Sequence, residues 1–162
     1  MKSRIFSFFA DYVLPLVRRP DMIQIAALCY RGEGAGREVL LITSRDTGRW
    51  VIPKGGLMRG RDAAEAAAEE AWEEAGVRPV AIPAEAIGEF RYLKTKRSGL
   101  PVPVRVLVYP MEVAGLEESF PEAGQRRLAW HAPREAATMV AEPGLREIFE
   151  RFHVASSDVA LL

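Results

Sequence analysis

From Asp62 to Gly76 the chain reads Asp-Ala-Ala-Glu-Ala-Ala-Ala-Glu-Glu-Ala-Trp-Glu-Glu-Ala-Gly, and no other stretch limits the possible folds so tightly. Alanine loses no side-chain freedom in a helix and glutamate loses little, so the segment predicts a helix. Asp62 can accept the first free amides, and Gly76 can end the helix in a left-handed conformation. Helical spacing puts Glu70 at i, i+3 and i+4 to Glu73 and Glu74, with Glu69 beside them, so four carboxylates crowd two successive turns. Like charges so placed each cost roughly a few tenths of a kcal/mol in an isolated helix, and each raises its neighbours' proton affinity. A hard divalent cation reverses that balance, because Mg²⁺ takes oxygen ligands and keeps several waters. An Ala/Glu helix merely solvated on its acidic face is the bland alternative. Against it stands the glycine-bearing loop at Gly55-Gly56, anchored by Trp50-Val51-Ile52-Pro53, whose backbone groups fall close to the acidic face.

The rest of the chain supplies strands around that helix. Ile23–Tyr30 and Glu38–Ser44 are β-rich runs split by a segment with three glycines, Gly32, Gly34 and Gly36, which predicts a hairpin. Trp50–Ile52 is a third short apolar run, stopped by Pro53 and followed by a loop. Ile87–Thr95 and Val102–Val113 flank the turn Lys96-Arg97-Ser98-Gly99 and predict a second hairpin, and Arg127–His131 a last short strand. Pro133–Val140 and Pro143–Phe152 each begin with a proline suited to the first helical position. Strands, helix, strands, then helices imply an α/β (α+β) chain, a mixed sheet between helices in an α/β/α sandwich.

At 162 residues the chain is long enough for one domain and too short for two of ordinary size. We expect that domain over 21–155, preceded by an amphipathic helix over 1–20 and followed by a polar tail over 156–162. The aromatic-rich start resembles a signal sequence only superficially, since Asp11 interrupts it and Pro15 and Arg18-Arg19 close it. Lys plus Arg and Asp plus Glu balance at 22 each, so the overall field attracts neither nucleic acid nor membrane. Cys29, the single cysteine, lies in an apolar run and reads as a buried thiol in a cytoplasmic protein.

Gly55 to Val77 resembles the Nudix box, Gly-x5-Glu-x7-Arg-Glu-apolar-x-Glu-Glu-x-Gly-apolar. Gly55 opens it, Glu70 falls on the Glu of Arg-Glu, Ala71 on the apolar position, Glu73 and Glu74 on the Glu pair, and Gly76-Val77 on its end. Strands before the box and strands plus helices after it extend the likeness over most of residues 22–152. Two positions depart: Arg61 stands where the family has Glu, and Glu69 where it has Arg. A reversed Arg61–Glu69 ion pair would keep the loop fixed on the helix; the rival reading is a drifted box with weak or absent turnover.

What the resemblance implies is a phosphohydrolase of the pyrophosphatase type, using Mg²⁺ (or Mn²⁺) and acting on a nucleoside-diphosphate-linked or polyphosphorylated small molecule. Trp-Val-Ile-Pro-Lys-Gly-Gly and the stretch from Arg126 to Trp130 look most similar to the diphosphoinositol and diadenosine polyphosphate branch, which favours those substrates. The implied catalytic residues are Glu70, Glu73 and Glu74. Glu70 and Glu74 are the first-choice metal ligands, with Glu73 direct or through water and the carbonyl of Lys54 adding an oxygen. As general base, Glu70 stands ahead of Glu117, Glu118 and Glu122. Substrate contacts are expected from Lys54, Gly55, Gly56, Arg45, Lys96 and Arg97, within a wider basic set of Arg49, Arg91, Lys94 and Arg105. The alternative is a Nudix-like ligand-binding or regulatory module without turnover.

Overall fold

The computed structural model describes residues 21–158. In chain order the elements are β1 (Met22–Arg31), β2 (Glu38–Thr43), β3 (Trp50–Val51), β4 (Lys54–Gly56), α1 (Ala63–Ala75), β5 (Val77–Pro79), β6 (Gly88–Thr95), β7 (Pro101–Leu116), β8 (Leu128–His131), α2 (Pro133–Met139) and α3 (Pro143–Asp158). The expected helix over 1–20 lies outside the described residues. The final helix runs past Phe152 to Asp158, so the first part of the expected tail is helical.

β1 is the spine of the sheet. It runs parallel to β7 from Met22↔Val104 to Tyr30↔Glu112. Its other edge meets β4 at Gln24–Ala26 and β2 only at Tyr30–Arg31, antiparallel in both cases. Residues 24–29 are all buried, as expected of a strand covered on both faces. Ile25, Ala27 and Cys29 join Leu40 and Ile42 beneath the alanines of α1. Ala26, Leu28, Val39 and Leu41 join Val104, Val106 and Val108 beneath Ala136, Leu145, Ile148 and Phe149 of α2 and α3. A mixed sheet between helical layers is therefore the architecture, as the order of elements implies.

Three local expectations change. The first hairpin splits after two paired positions, because β2 turns away to pair with β3 and β8 while Pro53 accepts the Ala27 amide at 2.9 Å and β4 takes up the freed edge of β1. Gly55-Gly56, expected as loop, is thus strand. β5, absent from the sequence reading, pairs with the end of β7 from Val77↔Leu116. β7 begins at Pro101 rather than Val102, and its Pro101 and Pro103 pair with Thr95 and Leu93 of β6 in a stretch that β1 does not reach.

α1 follows its sequence closely. Asp62 accepts the Glu65 amide at 2.8 Å and the Glu65 side chain returns the contact to the Asp62 amide at 3.1 Å, a complete capping box. Gly76 closes the helix at φ 68°, and a side chain there would also strike Phe120 and the carbonyl of Glu117. Buried Ala64, Ala66, Ala67, Ala68, Ala71 and Ala75 let the helix lie close on the sheet and turn Glu70 and Glu74 toward β4. No helix among the described residues is long and apolar enough to cross a membrane.

Candidate active site

The acidic face of α1 meets the glycine strand at one point. A Cβ on Gly55 would overlap the Glu70 carboxyl, so only glycine allows the approach. The Glu70 side chain makes no hydrogen bond or ion pair with any described residue. Burial, then the negative charges of Glu74, Glu73 and Glu122, push its carboxyl up to about 7, with Arg126 opposing.

Glu74, one turn on, is engaged on both oxygens. Oε1 accepts from Arg126 Nη2 at 2.9 Å and Oε2 from the Lys54 amide at 3.2 Å. Burial still holds Glu74 above the ordinary carboxylate range, although Arg126 and Lys54 pull the other way. Arg126 also donates Nε to Glu122 at 2.9 Å and Nη1 to the Thr43 carbonyl at 3.0 Å. One guanidinium therefore ties α1, β2 and the segment before β8 together, using the planar fork that suits arginine to such a place.

Of the later acids, Glu122 is the one brought to the site: its amide donates to the Glu73 carbonyl at 3.0 Å, and Arg45 reaches its side chain at 3.0 Å. Glu117 is held elsewhere, by Trp72 Nε1 at 3.0 Å and Arg78 at 3.5 Å.

Beside these acids opens a cavity of about 540 Å³. Of the residues expected to contact substrate, Arg45, Lys54, Gly55 and Gly56 line it, joined by Arg49 and Lys94. Lys96 and Arg97 do not, because the turn between β6 and β7 carries them beyond the cavity wall. Arg91 pairs with Asp21, and Arg105 with Glu89, on the outer surface of the sheet. Lys54 is drawn below the ordinary lysine range by burial, against the pull of Glu74 and Glu142, and its Nζ lies 5.8 Å from the centre of the Tyr92 ring. Arg61 and Glu69 meet at 2.8 Å and line a separate pocket with Glu65 and Trp72, outside this cavity.

Sequence reading missed Arg126, Gln24, Tyr92 and Glu142 as members of the site. Arg126 gave the one usable signal, an arginine directly before a predicted strand. Gln24 is a lone polar residue in the apolar run of β1, Tyr92 reads as an ordinary aromatic of β6, and Glu142 falls between the last two helices.

Among the described residues no three Asp, Glu, His or Cys side chains converge as a ready-made metal cluster. The donor set nevertheless suits a hard cation. Glu70 is a carboxylate with no partner, crowded by three other acids that raise its proton affinity, and a divalent ion relieves that crowding.

Fold and site together define a three-layer α/β/α protein in which a glycine strand backs a carboxylate-bearing helix beside a cationic cavity. The NUDIX domain model matches residues 22–152, and the chain belongs to that family. It is 33% identical over 125 residues to Nudix hydrolase 21, chloroplastic, of Arabidopsis thaliana, a match spanning 76% of this chain and 61% of that protein. It is 40% identical over 53 residues to human diphosphoinositol polyphosphate phosphohydrolase 3-alpha, spanning 33% of this chain and 32% of the relative. The chain therefore spans less than two thirds of either relative's own length. The fold is shared with the Ap4A hydrolase of C. elegans at a TM-score of 0.56 and 17% identity, covering 83% of this chain and 98% of that one.

Proposed function

We propose that the protein is a divalent-metal-dependent hydrolase of a phosphoanhydride bond in a nucleoside-diphosphate-linked or polyphosphorylated small molecule, with dinucleoside and diphosphoinositol polyphosphates the favoured classes. The observation that carries this reading is the unpartnered Glu70 carboxyl, seated against Gly55 beside Glu73 and Glu74 next to a cavity walled by Arg45, Arg49, Lys54 and Lys94. That combination suits a reaction joining water to a polyanion.

In this reading Glu70 and Glu74 hold Mg²⁺ or Mn²⁺, with Glu73 and the Lys54 carbonyl as further oxygens. When bound, the ion neutralises charge that builds on phosphate oxygens and makes a nearby water more acidic. Arg45, Arg49 and Lys54 grip and orient the phosphate chain. Glu70 is the first choice to take the proton from the attacking water as its oxygen bonds to phosphorus. The anhydride P–O bond then breaks and the leaving phosphate departs with the bonding electrons.

A second reading draws on Arg126. Because that guanidinium already occupies one oxygen of Glu74, a ligand-binding module without turnover is the alternative. The experiment that separates them is phosphate or nucleotide release from dinucleoside polyphosphates, nucleotide sugars and diphosphoinositol compounds, with Mg²⁺, Mn²⁺ or chelator, on wild type and Glu70→Gln. Metal-dependent turnover lost in Glu70→Gln supports the hydrolase. Ligand binding with no turnover across the whole panel supports the module.

A further inference from the structure

Glu142 stands just before α3, and its backbone carbonyl accepts the amides of Leu145 and Arg146 at 3.1 Å each. Backbone hydrogen bonding therefore fixes where the residue stands, while its side chain has no such tie. That side chain belongs to a residue only 8% exposed, and its Oε2 has no hydrogen-bond partner. Glu142 nevertheless lines the cavity, together with Gln24, Lys54 and Tyr92. Gln24 does not satisfy it: its side-chain oxygen accepts the Tyr92 hydroxyl at 2.7 Å, and its amide nitrogen makes no hydrogen bond to Oε2. A buried carboxylate oxygen left without a donor is costly, and such groups usually have a reason to be there. The helix dipole offsets part of the charge without supplying the missing donor.

The cavity thus carries both signs. Arg45, Arg49, Lys54, Lys94 and Arg126 supply the cationic groups that phosphate requires, and Glu142 supplies a fixed negative group that phosphate avoids. Two anions brought together away from water repel strongly, whereas a neutral hydroxyl or amino group supplies the donor that Oε2 lacks.

We propose that Glu142 is a specificity-determining residue: its carboxylate accepts hydrogen bonds from an uncharged, donor-bearing part of the substrate and turns phosphate away from that end of the cavity. The proposal rests on the hydrolase reading for the word substrate, though the selection itself is a matter of binding. Its consequence divides the two favoured classes. A nucleoside end offers ribose hydroxyls and base amino groups, while an inositol ring phosphorylated at nearly every position offers few donors and many anions. Glu142 therefore selects for the dinucleoside polyphosphate and against the diphosphoinositol compound.

The test compares diadenosine tetraphosphate with a diphosphoinositol pentakisphosphate as substrates, and ADP with inositol hexakisphosphate as ligands under chelation, using the full chain. Wild type is expected to favour the adenine compounds in both assays by about tenfold or more, the discrimination of a charge-assisted hydrogen bond gained on one side and a repulsion met on the other. Glu142→Gln, which keeps the shape and removes the charge, raises KM for the dinucleotide more than it lowers kcat, and improves binding of the inositol compound. Glu142→Asp, which keeps the charge but withdraws it, weakens the nucleotide without helping inositol hexakisphosphate. A wild-type preference for the inositol compounds overturns the proposal, as does a binding ratio that Glu142→Gln leaves in place. Should no compound be turned over while the binding ratio shifts as described, the hydrolase reading falls and the selective role of Glu142 stands. Should Glu142→Gln fail to fold, Glu142→Asp and the wild-type ratio together still decide the matter.

Discussion

Arg126 Nη2 lies 2.9 Å from Glu74 Oε1, and the two side chains are only 7% and 12% exposed. Removing one member of so buried a pair leaves the other charge without a partner, at a cost of about 3–5 kcal/mol. Arg126→Met also abandons Glu122 and the Thr43 carbonyl. At roughly 2–4 °C per kcal/mol for a chain of this size, thermal denaturation should show the melting temperature falling by on the order of 10 °C. Arg126→Lys, with one point charge in place of a fork, should recover less than half of that. A fall of under about 3 °C for Arg126→Met would show that the network holds little of the fold together.

Gly55→Ala should separate chemistry from stability. The added methyl overlaps the Glu70 carboxyl, which is the far end of a flexible side chain and can swing away. The fold then survives while the carboxyl leaves its place. If the hydrolase reading holds, turnover drops about 100-fold or more, the order of effect seen when a group is misplaced by about 1 Å, and the melting temperature moves by only a few degrees. Equal losses in both measurements would mean that Gly55 serves the backbone of β4 rather than the placing of Glu70.

Legibility followed the range of the interactions involved. Asp62, Glu65 and Gly76 act within a turn or two of their own helix, so the bounds of α1 could be read from local sequence. The order of strands and helices likewise announced a sheet with two covered faces, which the continuous burial of β1 from 24 to 29 matches. What escaped were contacts decided by distant chain. β4 is a strand because Gln24–Ala26 offer a free edge, and nothing in Lys-Gly-Gly predicts that edge. Arg126 finds Glu74 across 52 positions, and Tyr92 finds Gln24 across 68. The resemblance to the Nudix box named Glu70 and Glu74 but carried no account of Arg126 or Glu142. Lys96 and Arg97 fall outside the cavity lining because charge shows where phosphate could be welcomed, whereas the length of β6 decides where a charge ends up.

Arg61 and Glu69 allow a double-mutant cycle. Their 2.8 Å contact joins a half-exposed arginine to a carboxylate with 26% of its surface open. Pairs so wetted contribute about 0.2–1 kcal/mol. Arg61→Glu and Glu69→Arg should each lower activity and stability, and the double variant, which restores the order usual in the family, should return most of both. Strictly additive losses would show that the two charges act apart.

Glu70 gives a prediction with a definite sign in pH. Its carboxyl titrates near 7 in the folded protein against an ordinary value of 4.5, chiefly because of burial and then because of Glu74, Glu73 and Glu122. The folded state thus holds a proton that the unfolded chain releases earlier. What this proton contributes to stability is fully present below about pH 4.5 and is lost as pH rises toward 7. Glu70→Gln resembles the protonated form at every pH. Under chelation, the stability of wild type relative to Glu70→Gln should therefore decline from about pH 4.5 to about pH 7 and then level off. Denaturant melts across that range measure the difference. Mg²⁺ should flatten the decline, since a cation at Glu70 favours the ionised form that burial resists. A difference that stays constant with pH under chelation would show that the Glu70 carboxyl is better solvated than its contact with Gly55 implies, and would remove it as a general base working near neutrality.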